Sequence, residues 1–148
     1  MIGSTIRIEI DLESFEKHYK DAKGFHRRAE QFLNEGQSSS VIFNVASIAL
    51  ERYLIAICYL YGAPPWNNTY ASLMDIVEII VDFPQDLNDE IRSIGKLSQP
   101  YLCSMEPYHG KFPEAADADR ILSICDKVSR TFDQSRISAI RSTKKKGK

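Results

Sequence analysis

The sequence predicts an all-α protein, an up-and-down antiparallel bundle of four to five helices with a short N-terminal extended arm. Helical spacing of apolar residues recurs along most of the chain, whereas strand-like alternation is confined to Thr5–Ile10. The 148 residues correspond in size to one domain. We divide them into an arm (1–10), a bundle (11–140) and a disordered basic tail (141–148), since the tail is too charged to pack.

The composition excludes several classes of protein. Hydrophobic and charged fractions are ordinary for a globular protein, and the net charge of −1 provides no overall field for a polyanion. Three widely spaced cysteines form no C-x-x-C pair, and His18 and His26 are not at metal-ligand spacing, so no metal or cofactor is expected. Because the N-terminus has no signal-peptide pattern, we expect a cytoplasmic protein.

The N-terminal arm carries isoleucines at alternate positions. Ile6, Ile8 and Ile10 point one way, and Arg7 and Glu9 the other. A lone strand is not stable by itself. The arm therefore either pairs across a dimer or stays extended, and we favour the second interpretation.

The first helix is predicted from Leu12 to about Asn34. Asp11 is placed to cap its N-terminus, and Gly36 follows its end. Gly24, in its interior, would permit the close approach of another helix. The cluster His26-Arg27-Arg28 is interpreted as a solvated face.

The stretch Ser38 to Tyr61 predicts a second helix that is apolar on almost every side and so is buried by neighbours all round. It is long enough to span a membrane. However, Glu51 and Arg52 would lie near the bilayer centre, at about 2.5–3.5 kcal/mol for such a charge. We therefore interpret it as the core helix of a bundle and expect no membrane association.

Prolines delimit the two helices that follow. One is predicted from about Tyr70 to Asp82, before Pro84, and the next from about Gln85 to Leu97, before Pro100. Trp66, in the preceding turn, is expected to pack over the end of the bundle.

A last helix is predicted from about Ala115 to Ser135 or beyond, which leaves Tyr101 to Pro113 as a long irregular loop. Loops of this length are often functional. His109 and Lys111 offer donors suited to an anion. The aromatic side chains of Tyr101, Tyr108 and Phe112 offer flat faces on which a base could stack. The second helix could contribute its two charged residues to the same site. The candidate ligand-binding residues are therefore Glu51, Arg52, Tyr101, Tyr108, His109 and Lys111.

Each of these candidates has a structural alternative. Glu51 and Arg52 could instead pair with residues of other helices or reach solvent at a seam, because structural ion pairs are commoner than sites. The loop aromatics could pack as a lid while the two donors face water.

The core helix and the turn after it carry a family resemblance. Ala49–Ala56 followed by Tyr61–Pro65 resembles the central helix of HEPN domains, and Lys111-Phe112-Pro113 resembles the basic–aromatic–proline step before their last helix. The positions that fit in the first match are Glu51, Leu54, Ala56, Gly62, Pro64 and Pro65. Ile55 stands where a lysine is usual, and Ala71-Ser72 where the family often has a His-Asp pair.

The resemblance bears directly on activity. Active HEPN ribonucleases carry an arginine followed, after about four to six residues, by a histidine, which suits a cation for the phosphate and an imidazole for proton transfer. None of the three histidines, His18, His26 and His109, has an arginine at that spacing. Catalysis is therefore unsupported by the sequence.

The resemblance implies a non-catalytic HEPN-like module that forms a homodimer or binds a partner protein, with a nucleotide or RNA as a further ligand. Two alternatives stay open. One is an atypical HEPN-type ribonuclease or toxin, and the other is a regulatory or small-molecule-binding bundle unrelated to nucleic acid.

Overall fold

The structure, a computed structural model, describes residues 10–103 and 113–146. Within these ranges it contains helices and no strand, which confirms the all-α bundle. There are six helices here rather than four or five: α1 Leu12–Asn34, α2 Ser39–Leu60, α3 Tyr70–Ile80, α4 Gln85–Cys103, α5 Ala115–Ser129 and α6 Gln134–Lys146. Residues 1–9 lie outside the described ranges, so both interpretations of the arm stay predictions.

Helices α1 and α2 form an antiparallel hairpin. The Ser14 N–H donates to Asp11 Oδ1 at 3.0 Å, which confirms Asp11 as the N-cap of α1. His18 stacks on Tyr59, and the His26 ring lies edge-on to Tyr53. Later residues of α1 thus contact earlier residues of α2, which shows that the two helices are antiparallel. His26 is thus buried between the helices, and its assignment to a solvated face was wrong.

Helix α2 lies at the centre of the bundle and contacts α1, α3 and α5. In the described part of the chain, it is the one helix whose length and apolar composition would also suit a membrane span, and most of it is buried within the bundle. Its buried side chains are Ile42, Phe43, Ala46, Ala49, Leu50, Tyr53, Leu54, Ile55, Ala56, Ile57, Cys58 and Leu60.

Helix α5 runs in the same direction as α2. The Cys125 thiol donates to the Ala46 carbonyl at 3.3 Å, and Phe132 lies 5.9 Å from Tyr53 between ring centroids. Residue numbers increase in the same direction on both sides of these contacts, so the two segments are parallel. The pair α2 and α5 therefore departs from strict up-and-down alternation. Phe132 lies in a turn that separates α5 from α6, and the single last helix expected from the sequence is therefore two helices.

Helices α3 and α4 form a second antiparallel hairpin, which is held by polar contacts. Arg92 Nη2 lies 2.9 Å from Asp75 and 3.1 Å from Glu78, and Asn88 donates to Glu78 at 3.0 Å. The expectation that Pro100 ends α4 was wrong, because the helix continues to Cys103. A proline removes only one backbone donor, and so near a helix end it leaves most of the helical hydrogen bonds in place.

Helix α6 continues to Lys146, so the segment expected to be a disordered tail is helical as far as that residue. Arg141 donates to both carboxylate oxygens of Glu16, at 2.8 and 2.6 Å. Ile137 is fully buried, and the Arg136 guanidinium donates to the Leu60 carbonyl at 3.0 Å. The bidentate contact of Arg141 with Glu16 thus connects the start of this segment to α1.

Removing the Tyr53 hydroxyl tests the α1–α2 hairpin. His26 Nδ1 and Tyr53 Oη share a buried hydrogen bond of 2.8 Å. We expect Tyr53→Phe to lower the free energy of unfolding by about 1–3 kcal/mol, because it leaves a buried ring nitrogen without a partner. Urea denaturation measures the change. The control, Tyr59→Phe, alters a half-buried ring that stacks on His18 and should stay within about 0.5 kcal/mol of the parent. Equal losses in both variants would contradict the prediction.

Candidate functional site

An open groove of about 960 Å³ lies between α2, the start of α3 and the second half of α4. Its volume is at the upper end of the range of small-molecule sites, about 300–1,000 Å³. The lining residues are Phe43, Asn44, Ser47, Ile48, Glu51, Asn67, Asn68, Thr69, Tyr70, Ala71, Arg92, Gly95 and Lys96.

The groove exists because the segment after α2 turns back along that helix. Gly62 adopts a φ of 71°, which permits the tight turn after the helix end. The Tyr70 hydroxyl then donates to the carbonyl of Ser47, several turns before the end of α2, at 2.9 Å. Pro64 and Pro65 keep the intervening segment out of a helical conformation. This segment forms one wall of the groove.

Tyr70 and Gly95 determine how closely α4 approaches the start of α3. A Cβ on Gly95 would lie 3.1 Å from both Cβ and Cδ2 of Tyr70, so glycine permits this approach. Burial raises the pKa of the Tyr70 hydroxyl above its usual range, although its hydrogen bond to Ser47 opposes this effect. The hydroxyl therefore stays neutral and serves as a structural donor.

The rim of the groove is rich in neutral polar groups. Two of them have structural tasks, since Asn67 Oδ1 accepts from the Thr69 N–H at 2.8 Å and Thr69 Oγ1 caps α3 by accepting from the Ser72 N–H at 3.2 Å. Asn44 and Asn68 are exposed at the rim, where their amides offer both donors and acceptors to a ligand.

Two cations among the described residues line the groove, and they differ in availability. Arg92 donates to Asp75 and Asn88 and pairs with Glu78. Burial lowers the pKa of Arg92, but its hydrogen bonds to the two carboxylates outweigh that and raise it. Its charge is thus already neutralised by protein groups, whereas the exposed ammonium of Lys96 can meet an anionic group of a ligand.

Glu51 is the one carboxylate among the lining residues, and it is half-buried. Among the described residues it makes no hydrogen bond and no ion pair, so the structural partner that the sequence suggested is not found there. Burial raises the pKa of Glu51, and the nearby charges of Arg52 and His18 partly oppose the shift. The groove therefore contains a carboxylate that is poorly compensated by the described part of the protein.

The sequence-predicted site residues meet different outcomes. Glu51 lines the groove, whereas Arg52 does not, and Arg52 Nε is buried without a hydrogen bond to any described residue. Tyr101 lies in the last turn of α4. Tyr108, His109 and Lys111 lie outside the described residues and stay predictions.

Most of the groove was missed by sequence reasoning, although one signal was present. Asn44, Ser47 and Glu51 are polar positions at helical spacing on an otherwise apolar helix, which places them on one face. The contributions of α3 and α4 could not be foreseen, because they depend on how the segment after Gly62 turns. The described residues contain no cluster of potential metal ligands.

Trp66 lies on the wall segment and is 93% exposed, so the expectation that it packs over the bundle end was wrong. The segment runs along the flank of α2 instead of across its end. Trp66 is therefore an exposed aromatic residue next to the asparagines of the groove.

Comparisons with known protein families, with curated proteins and with solved structures found no match to this chain.

Two glycine substitutions test the contact between α4 and Tyr70. Gly24→Ala, on the exposed side of α1 with nothing within 4 Å of an added Cβ, should raise the free energy of unfolding by about 1 kcal/mol through helix propensity. Gly95→Ala should lack this gain, because its methyl group must displace Tyr70, and overpacking costs about 1–3 kcal/mol. Chemical denaturation of both variants provides the comparison. An equal gain in both would show that the contact is loose.

Proposed function

We propose that this chain is a non-catalytic, HEPN-like helical module that binds a nucleotide or a short RNA in the groove and associates with protein. The observation that carries the proposal is the groove itself, with an apolar floor, a rim of amides and hydroxyls, and one available ammonium.

The chemistry of the groove suits the parts of a nucleotide. Ile48 and Ala71, which are both exposed, offer apolar surface to the faces of a base. Neutral amides that both donate and accept suit the polar edge of a base, which is how proteins recognise unpaired nucleotides. The ammonium of Lys96 suits a phosphate as a point charge.

The proposal of binding without catalysis rests on the sequence, in which no arginine precedes a histidine at the ribonuclease spacing. Among the described residues, the ionisable side chains that line the groove are Glu51, Tyr70, Arg92 and Lys96; the Tyr70 hydroxyl is neutral and the charge of Arg92 is already neutralised. An atypical ribonuclease remains the alternative. Turnover of a labelled single-stranded RNA that is lost in His109→Ala would favour it.

Titration with nucleoside monophosphates and short RNA tests the proposed ligand class. Trp66 is the sole tryptophan and lies beside the groove, so its fluorescence should change on binding, with calorimetry as an independent measure. We expect Lys96→Ala to weaken binding about tenfold, which corresponds to about 1.4 kcal/mol. The matched control Lys20→Ala removes the same charge from an exposed position on α1 and should bind as the parent does.

The double variant His109→Ala, Lys111→Ala tests the loop residues predicted from the sequence. Weaker binding in this variant would assign them to the same site. If the parent binds no nucleotide and no RNA, the nucleic-acid proposal fails and the small-molecule alternative gains support.

Trp66 supports the second part of the proposal, association with protein. A tryptophan that is 93% exposed is unusual, and tryptophan is enriched among the residues that dominate binding energy at protein interfaces. Pro64 and Pro65, which directly precede Trp66, restrict the backbone, and this lowers the entropy lost on docking. The simplest such partner is a second copy of the chain.

Light scattering tests the homodimer. We expect the parent to show the dimer mass at high micromolar concentration and Trp66→Ser to shift toward the monomer mass, because the substitution removes the largest exposed apolar group. Ile79→Ser is the control, since Ile79 is 82% exposed but lies at the other end of α3. A parent that stays monomeric would contradict the homodimer, and equal effects of the two substitutions would place the interface elsewhere.

A further inference from the structure

We propose that the groove selects guanine, and that the carboxylate of Glu51 recognises the base by accepting hydrogen bonds from guanine N1–H and from its N2 amino group. This inference rests on the proposed nucleotide-binding function and specifies which base the groove prefers.

The geometry of hydrogen-bond groups points to guanine. An ionised carboxylate only accepts, and its two oxygens can accept two parallel bonds. Among the four RNA bases, guanine alone presents two adjacent N–H donors on its Watson–Crick edge. Adenine and cytosine place an acceptor beside their amino group, which a carboxylate would repel, and uracil has a single N–H between two acceptors.

Glu51 is available for this contact. It lines the groove, and no described residue forms a hydrogen bond or ion pair with it. Its half-buried position limits hydration of the ionised form, and this raises the pKa of its carboxyl group. Two N–H donors from a base would supply the missing hydrogen bonds, so that binding relieves an unfavourable feature of the unliganded protein.

Two neighbouring residues partly oppose the rise in the pKa of Glu51. Arg52 and His18 both lie close enough to stabilise its negative charge. His18 is held in place, since Nδ1 donates to the Ser14 carbonyl at 2.8 Å and the ring stacks on Tyr59. These two residues are positioning residues in this proposal, because they act on Glu51 and not on the ligand.

Ser47 completes the recognition of the base edge. It lies one turn before Glu51 on the same face of α2, where side chains are about 5–6 Å apart. Its backbone carbonyl is occupied by Tyr70, but its hydroxyl can donate to guanine O6, the acceptor next to N1–H. The pair Ser47 and Glu51 thus offers a donor followed by a double acceptor, which is complementary to the edge of guanine.

Calorimetric titration with the monophosphates of guanosine, inosine, adenosine, cytidine and uridine tests the selection. We expect guanosine monophosphate to bind at least about tenfold more tightly than the other three standard nucleotides, because those leave the half-buried carboxylate of Glu51 unpaired. Inosine monophosphate, which lacks the N2 amino group, should fall between them.

Glu51→Gln distinguishes the role of the carboxylate. A glutamine has the same size but only one acceptor oxygen, so the preference for guanine should be lost while adenosine monophosphate binds within about twofold of the parent. Glu13→Gln, at an exposed position of α1, is the matched control and should retain the preference. Circular dichroism confirms that both variants fold.

A pH series with guanosine, which has no titrating phosphate, adds a second readout. The charged groups around Glu51 are Arg52 on α2, His18 on α1, and Arg92 and Lys96 on α4. Since recognition requires the ionised carboxylate, affinity should be full above the raised pKa of Glu51 and fall as the pH is lowered through it. Glu51→Gln should show no such fall.

The possible failures are distinguishable. Equal affinity for all the nucleotides, or a guanine preference that survives Glu51→Gln, would overturn the inference and leave the proposed function intact. No binding of any nucleotide would overturn the proposed function and the inference with it.

Discussion

The burial of α2 is the constraint on which the rest of the structure depends. A helix that is apolar on almost every side must be covered all round, because each exposed large apolar side chain costs about 1.5–3 kcal/mol relative to its burial. Helix α1 covers one side as a hairpin partner, α5 covers another in parallel orientation, and α3 with the returning segment covers a third. The order of the other helices follows from this need, and the same coverage explains why a helix with the length of a membrane span lies inside a bundle.

The groove lies where that coverage ends. Along one face of α2 the apolar pattern is interrupted by Asn44, Ser47 and Glu51, and a face with these groups cannot be covered by apolar side chains without leaving polar atoms unpaired. The segment after Gly62 runs beside this face instead of over it, and α4 contributes the opposite wall. The groove thus follows from three polar residues on a helix whose other faces are mostly apolar and buried.

Local features of the fold could be predicted from the sequence, and features that depend on tertiary contacts could not. The Asp11 cap and the bounds of α1 follow from residues within one turn of each other, so the sequence was sufficient there. Composition alone suggested disorder from residue 141 onward, whereas Arg141 pairs with Glu16, which is distant in sequence. For the site, Glu51 was recognised as an unusual charge on a core helix, but its neighbours from α3 and α4 depend on a chain reversal that no local pattern specifies.

The surroundings of Glu51 favour a functional role for this residue over a structural one. A carboxylate on a core helix that served stability would be expected to acquire a partner, because an unpaired half-buried charge opposes folding. Arg92, in the same groove, shows that the fold can provide such partners, since two carboxylates and an amide surround it. Glu51 has no such set among the described residues, although Arg52 follows it directly in sequence. Adjacent residues on a helix point about 100° apart, which keeps this pair from closing on itself. The carboxylate is therefore half-buried and incompletely bonded by the described residues, and in its ionised form it can accept hydrogen bonds from a ligand.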